Sequence, residues 1–140
     1  MTGVQTCALP ICVVRGFEET FPCAGDTVAI VGLGPIGLMF AKLAKLRGCR
    51  VIAVGRRQTQ LDRAEALGAD ELIVGGEHSD PVRSIREMTH GRGVDIAIEA
   101  VGKPQTWQWA VNMVRRGGTV NFFGGCPNES KVNLDRKSIV

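Results

Sequence analysis

The sequence predicts a single α/β domain built on a doubly wound parallel sheet, truncated before its last strand. Three observations carry that expectation. An apolar run, Thr27 to Val31, passes directly into the pattern Gly32-Leu33-Gly34-Pro35-Ile36-Gly37 and then into a segment of helical periodicity. After Arg50, the run Val51–Val54 is continuously apolar, as a strand of a parallel sheet buried on both faces must be. Between successive runs lie helix-length segments, the spacing that parallel crossovers need. At 140 residues the chain is long enough for one domain with a real core.

Taken in order, the first segment stands apart. Residues 2 to 11 carry no periodicity that leads into the next segment, and they match residue for residue one reading frame of a sequencing-library adapter, so residues 1–12 are set aside as non-native. The tail 135–140 resembles the opposite adapter except at Ile139. The native domain is expected to span 13–134, cut from a longer gene at both ends. Within it, Val13 to Pro22 reads as the tail of a helix and a connector, and Ala24-Gly25-Asp26 as the turn that launches the first strand.

Pro35 suits the opening turn of the helix after the glycines, because its missing N–H has no intrahelical partner there. The apolar face of that helix is expected at Ile36, Met39, Phe40, Leu43 and Leu46, with Lys42, Lys45 and Arg47 off it and Gly48 as its stop. The second strand is Arg50–Val54. After it come a helix over 58–67 stopped by Gly68 and a short strand Glu71–Val74. Asp80 is the expected cap, and Pro81 the first turn, of a helix reaching Thr89. The strand Val94–Glu99 comes next, then a helix from Gln105 to Arg115 closed by Gly117-Gly118, then a fifth strand Thr119–Phe123. No sixth strand remains, so the fifth is expected as an unprotected edge.

Composition excludes several function classes. A net charge of +3, with Lys and Arg scattered except at Arg56-Arg57 and Arg115-Arg116, implies no nucleic-acid surface. No apolar run approaches the roughly 20 residues of a membrane span, and the start lacks the plan of a signal peptide, so a cytoplasmic location is expected. Cys7, Cys12, Cys23, Cys49 and Cys126 form no C-x-x-C, and buried or incidental thiols fit better than a disulfide framework or a zinc site. His78 and His90 lie in polar surroundings and read as surface residues.

The glycine pattern is the one that brings backbone close to a pyrophosphate at a helix N-terminus. Its context, strand before and helix after, makes a dinucleotide the expected ligand. At the end of the second strand, 23 residues past Gly32, an acidic residue would accept hydrogen bonds from the adenosine ribose 2′-OH; here stand Gly55, Arg56 and Arg57. Without a carboxylate there is no repulsion against a 2′-phosphate, and a guanidinium can bind that phosphate through paired, charge-assisted bonds. NADP(H) is therefore expected over NAD(H). The bland alternative is that both arginines are solvated loop charges.

In order, the motifs Gly25-Asp26-Thr27-Val28, Gly32 to Gly37, Ala66-Leu67-Gly68-Ala69-Asp70, Val94-Asp95 to Glu99-Ala100-Val101-Gly102, and Gly117-Gly118-Thr119-Val120 to Gly124-Gly125 resemble the medium-chain dehydrogenases, in particular the zinc-dependent alcohol and polyol dehydrogenases. The resemblance implies a Rossmann domain in which Gly32, Gly34, Pro35, Ile36 and Gly37 hold the pyrophosphate. It implies that Ala100, Val101 and Gly102 border the nicotinamide ribose, and that Phe123, Gly124 and Gly125 offer backbone groups to the carboxamide. Two departures weaken the case for NAD: Gly55 replaces the family's common aspartate, and Gln60 stands where several NAD-dependent members have arginine. The family's zinc ligands lie upstream of Val13, so no catalytic residue or metal ligand is assigned to this chain, Cys12 included. A parent enzyme like these would be a homodimer or homotetramer acting on a small alcohol or polyol. Rival expectations are the cofactor domain of a zinc-free quinone or enoyl reductase, and a methyltransferase or non-catalytic nucleotide-sensing module. A short-chain dehydrogenase would need a catalytic tyrosine, and the sequence has none.

Overall fold

Five strands and five helices make the structure, a computed structural model that describes residues 2–134, with side chains from Leu9 onward. In chain order they are α1 (Thr2–Glu18), β1 (Thr27–Val31), α2 (Pro35–Leu46), β2 (Arg50–Gly55), α3 (Gln58–Ala66), β3 (Glu71–Val74), α4 (Pro81–Met88), β4 (Val94–Glu99), α5 (Pro104–Met113) and β5 (Val114–Phe122). All strands pair in parallel, in the order β3-β2-β1-β4-β5. The doubly wound expectation is met. Among the described residues β5 is a sheet edge.

Both faces of the sheet are covered at its centre, which is why β1 and β2 are apolar at consecutive positions. Val28, Ile30, Val51, Ala53, Ile96 and Ile98 pack on one side with Phe17 of α1, Phe40 and Ala44 of α2, and Leu61 and Ala64 of α3. Ala29, Val31, Ile52, Val54 and Ala97 pack on the other with Ile85 of α4 and Ala110 and Met113 of α5. Asp80 caps α4 as expected, accepting the Arg83 N–H at 3.0 Å.

Two departures have local causes. The buried stripe of α2 is Gly37, Phe40, Ala41 and Ala44, whereas Leu46 is 71% exposed. The helix is rotated because Gly37 must lie flat on the end of β1, and a face centred on Gly37 carries Leu46 outward. Leu46→Lys is therefore expected to change stability by less than about 0.5 kcal/mol in urea denaturation, where a core leucine would cost several times more. The helix expected to reach Arg115 ends instead at Met113. Val114 turns extended to pair with Val94, and the Arg86 guanidinium donates to the Asn112 and Val114 carbonyls at 2.7 and 3.2 Å. β5 thus starts five residues before Thr119, with a register shift between its pairings to Val94 and Ile96. The helix tail expected from Val13 is met by α1, which ends at Glu18 and begins at Thr2, with Pro10 inside it. The 135–140 tail lies outside the described residues.

Of the cysteines, Cys49 is buried and Cys12 and Cys23 are exposed, while the Cys7 side chain lies outside the described residues; His78 and His90 are exposed, as expected. Among the described residues no helix is long and apolar enough to cross a membrane.

Candidate functional site

Because β1 pairs with β2 on one side and β4 on the other, the chain leaves the carboxyl ends of β1 and β4 toward opposite faces of the sheet, opening a crevice between them. Four hydrogen bonds carry the ladder one step past the strands. Gly32 N–H donates to the Val54 carbonyl (2.9 Å), Ala100 N–H to Val31 (2.9 Å), Gly75 N–H to Gly55 (2.9 Å) and Gly124 N–H to Glu99 (2.8 Å). The loops after these strands therefore depart from one level.

The glycine turn is shaped by close approach. Gly32 has a φ of +97°, and a Cβ there would meet Val101 Cγ2 at 2.5 Å. A Cβ on Gly37 would collide with the Gly32 carbonyl oxygen itself. Gly34 is different: it is extended, and no atom lies within 4 Å of where its Cβ would be. It fronts open space at the start of α2. Pro35 opens that helix and Ile36 comes next, with no side-chain cap, so the first-turn N–H groups are those an α-helix leaves without intrahelical partners.

At the β2 end, Gly55 is buried, and a Cβ there would fall 2.7 Å from Leu33 Cδ1. Leu33 fills the room that a side chain at 55 would use. Arg56 and Arg57 are exposed, and among the described residues neither guanidinium has a hydrogen bond or ion pair. Arg57 also precedes α3, whose first turn has no side-chain cap and no acidic residue. Two unpaired cations thus sit at an uncapped helix N-terminus, an electrostatic setting suited to a phosphate.

At the β4 and β5 ends, Ala100-Val101-Gly102 and Phe123-Gly124-Gly125 touch through their backbones. A Cβ on Gly102 would lie 2.5 Å from the Gly125 oxygen, and one on Gly124 would lie 2.5 Å from the Gly102 nitrogen. Phe123 turns its ring away onto Phe40, edge to face with centroids 5.0 Å apart, so this loop presents main chain. Val101 is 43% exposed and faces the Gly32 turn.

The structure thus brings the glycine turn, the Ala100–Gly102 loop and the Phe123–Gly125 loop to one end of the sheet, with Gly55, Arg56 and Arg57 at the neighbouring strand. Three residues of this region, Leu33, Glu99 and Thr106, were not among the expected site residues. Glu99 left a signal, since it is a carboxylate closing the apolar run Ile96–Ile98 of a strand buried throughout. Among the described residues no group of three His, Cys, Asp or Glu side chains could hold a metal ion.

Comparison with known proteins places this geometry among relatives. Residues 35–140 match the sequence family described as zinc-binding dehydrogenase. The chain is 45% identical over 105 residues to an NADP-dependent isopropanol dehydrogenase of Thermoanaerobacter brockii, covering 71% of this chain and 29% of that protein. It is 37% identical over 112 residues to a sorbitol dehydrogenase of Bacillus subtilis (strain 168), covering 79% and 31%. A solved zinc-binding dehydrogenase from Sinorhizobium meliloti 1021, bound to NADP, superposes with a TM-score of 0.87 at 33% identity, over 94% of this chain and 39% of that one. The chain spans under a third of the length of the two curated relatives.

Proposed function

Since this chain belongs to the zinc-binding dehydrogenase family, we propose that it binds a nicotinamide dinucleotide, with NADP(H) preferred, as the cofactor domain (13–134) of an alcohol or polyol dehydrogenase. The observation that carries the proposal is that the open Gly34 turn after β1 and two unpaired guanidiniums after the neighbouring β2 lie at the same end of the sheet. These residues fit the cofactor: Gly34, Pro35, Ile36 and Gly37 would hold the pyrophosphate at the start of α2, and Arg56 and Arg57 the 2′-phosphate. Main chain of Ala100–Gly102 and Phe123–Gly125 would border the nicotinamide. The NADP named for both the isopropanol dehydrogenase and the S. meliloti structure supports the preference.

When bound, the cofactor supplies hydride transfer; the residues here bind it and orient it. Zinc in the parent enzyme is part of the proposal on family grounds, and no ligand for it is assigned in this chain. The proposal extends to a small alcohol or polyol as substrate and to a homodimeric or homotetrameric cytoplasmic parent.

Calorimetric titration of the 140-residue chain tests the reading. NADP(H) is expected to bind more tightly than NAD(H), and Arg56→Ala and Arg57→Ala are each expected to weaken NADP(H) about tenfold or more, the size of a lost charge-assisted hydrogen bond, while leaving NAD(H) nearly unchanged. Equal or NAD-favoured binding would overturn the 2′-phosphate assignment.

A further inference from the structure

We propose that Glu99 is a positioning residue that fixes the spacing of the two loops assigned to the nicotinamide half of the cofactor, an inference that rests on the dinucleotide reading above. Its side chain is fully buried at the end of β4. A carboxylate taken out of water must be hydrogen-bonded to be tolerated, and Oε1 receives three donors: Val101 N–H at 2.9 Å, Gly102 N–H at 2.8 Å and the Thr106 hydroxyl at 2.7 Å. Those bonds tie the first loop and the opening turn of α5 to one atom.

The second loop is held by the same residue through its main chain. Gly124 N–H donates to the Glu99 carbonyl at 2.8 Å, and the Gly124 carbonyl accepts the Trp107 indole N–H at 3.0 Å. Trp107 is the next residue after Thr106, so the turn of α5 anchored by the carboxylate also grips the second loop. The Trp107 ring stacks on Phe122 with centroids 4.2 Å apart. The other carboxylate oxygen, Oε2, is buried without a partner among the described residues, and it lies against Gly124, where a Cβ would approach it to 2.7 Å. An oxygen left in this state lowers fold stability. A residue chosen for stability alone would avoid that cost. What the carboxylate provides is a fixed distance between the two loops, with Gly102 and Gly124 in backbone contact beside it.

The experiment uses Glu99→Ala and Glu99→Gln in the 140-residue chain, with two readouts. By amide hydrogen exchange, Glu99→Ala is expected to deprotect Val101, Gly102 and Gly124 together, while Gly32 and Ala100, bonded to Val54 and Val31, stay protected. By titration, Glu99→Ala is expected to weaken NADPH about tenfold and leave adenosine 2′,5′-bisphosphate, the adenine half alone, unchanged. Glu99→Gln keeps an acceptor oxygen and is expected to restore NADPH binding to within about threefold, together with the nicotinamide fluorescence of the bound form. Equal weakening of both ligands, wild-type NADPH affinity in Glu99→Ala, or deprotection confined to the first loop would each overturn the proposal. If Glu99→Ala does not fold, Thr106→Val carries the same comparison: a loss confined to NADPH supports it, and no loss overturns it. A wild-type chain that binds neither ligand would instead sink the dinucleotide reading and the nicotinamide role with it, leaving the exchange data to report on the brace alone.

Discussion

Gly37→Ala is expected to cost about 3 kcal/mol or more of stability, at the upper end of overpacking penalties, and to abolish nucleotide binding. The added methyl would collide with the Gly32 carbonyl oxygen, a main-chain atom at the end of a strand, where no side chain can swing aside. Gly32 is itself held by its bond to Val54, so relief can come only by lifting α2 from β1. That lift would loosen Phe40, Ala41 and Ala44 from Val28 and Ile30. Gly34→Ala is the matched control, since its backbone is extended and its surroundings are empty. It is expected to leave stability within about 0.5 kcal/mol of wild type while weakening NADPH, because the methyl enters the space over the turn. Urea midpoints and NADPH titrations of both variants make the check. A stable Gly37→Ala that binds would refute the account.

Asp95→Ala is the second large effect, and it acts at the opposite end of the sheet. The Asp95 carboxylate, nearly buried, accepts the Thr27 N–H at 2.8 Å, Arg92 at 2.8 Å and Arg115 Nε at 2.7 Å. It therefore ties the start of β1 to β4 and β5. Truncation leaves the Thr27 amide without its acceptor and takes the carboxylate from Arg92 and Arg115, for an expected loss of about 3 kcal/mol from three lost hydrogen bonds, two of them charge-paired. Burial alone would raise this carboxyl, but the Thr27 N–H and the Arg92 and Arg115 guanidiniums outweigh it and hold it down to about 2. A carboxyl lowered on folding stabilises the protein above its unfolded value near 4, and that contribution, about 2 kcal/mol, is lost as pH falls through 2. Asp70 is lowered in the same sense: burial opposes the shift, and Lys45 and the Val51 N–H prevail. Denaturation of wild type and Asp95→Asn between pH 7 and pH 2 should show the wild type losing stability more steeply below pH 4. Parallel profiles would contradict the assignment.

Much of the fold was legible because its central strands are buried on both faces. Thr27–Val31 and Arg50–Gly55 stand on their apolar runs, since strands between two helical layers are buried at almost every position. The end of α5 was not legible. Gly117-Gly118 looked like a helix stop, yet the helix ends at Met113 because Val114 finds Val94 and Arg115 finds Asp95, partners distant in sequence. The rotation of α2 was hidden for a related reason. Periodicity placed Leu46 on the apolar face, and the approach of Gly37 to Gly32 overrode it.

By itself the sequence determined the order and type of the elements from β1 to β4, the glycine turn between β1 and α2, and the replacement of a carboxylate by Gly55, Arg56 and Arg57, because these depend on local periodicity and residue chemistry. Only the tertiary structure decided that Leu33 occupies the space beside Gly55, and that one oxygen of Glu99 gathers Val101, Gly102 and Thr106 while Gly124 rests against the other. Such contacts join loops from separate strands. A buried carboxylate is settled by whichever donors the fold brings within hydrogen-bonding distance, and no local spacing encodes that meeting.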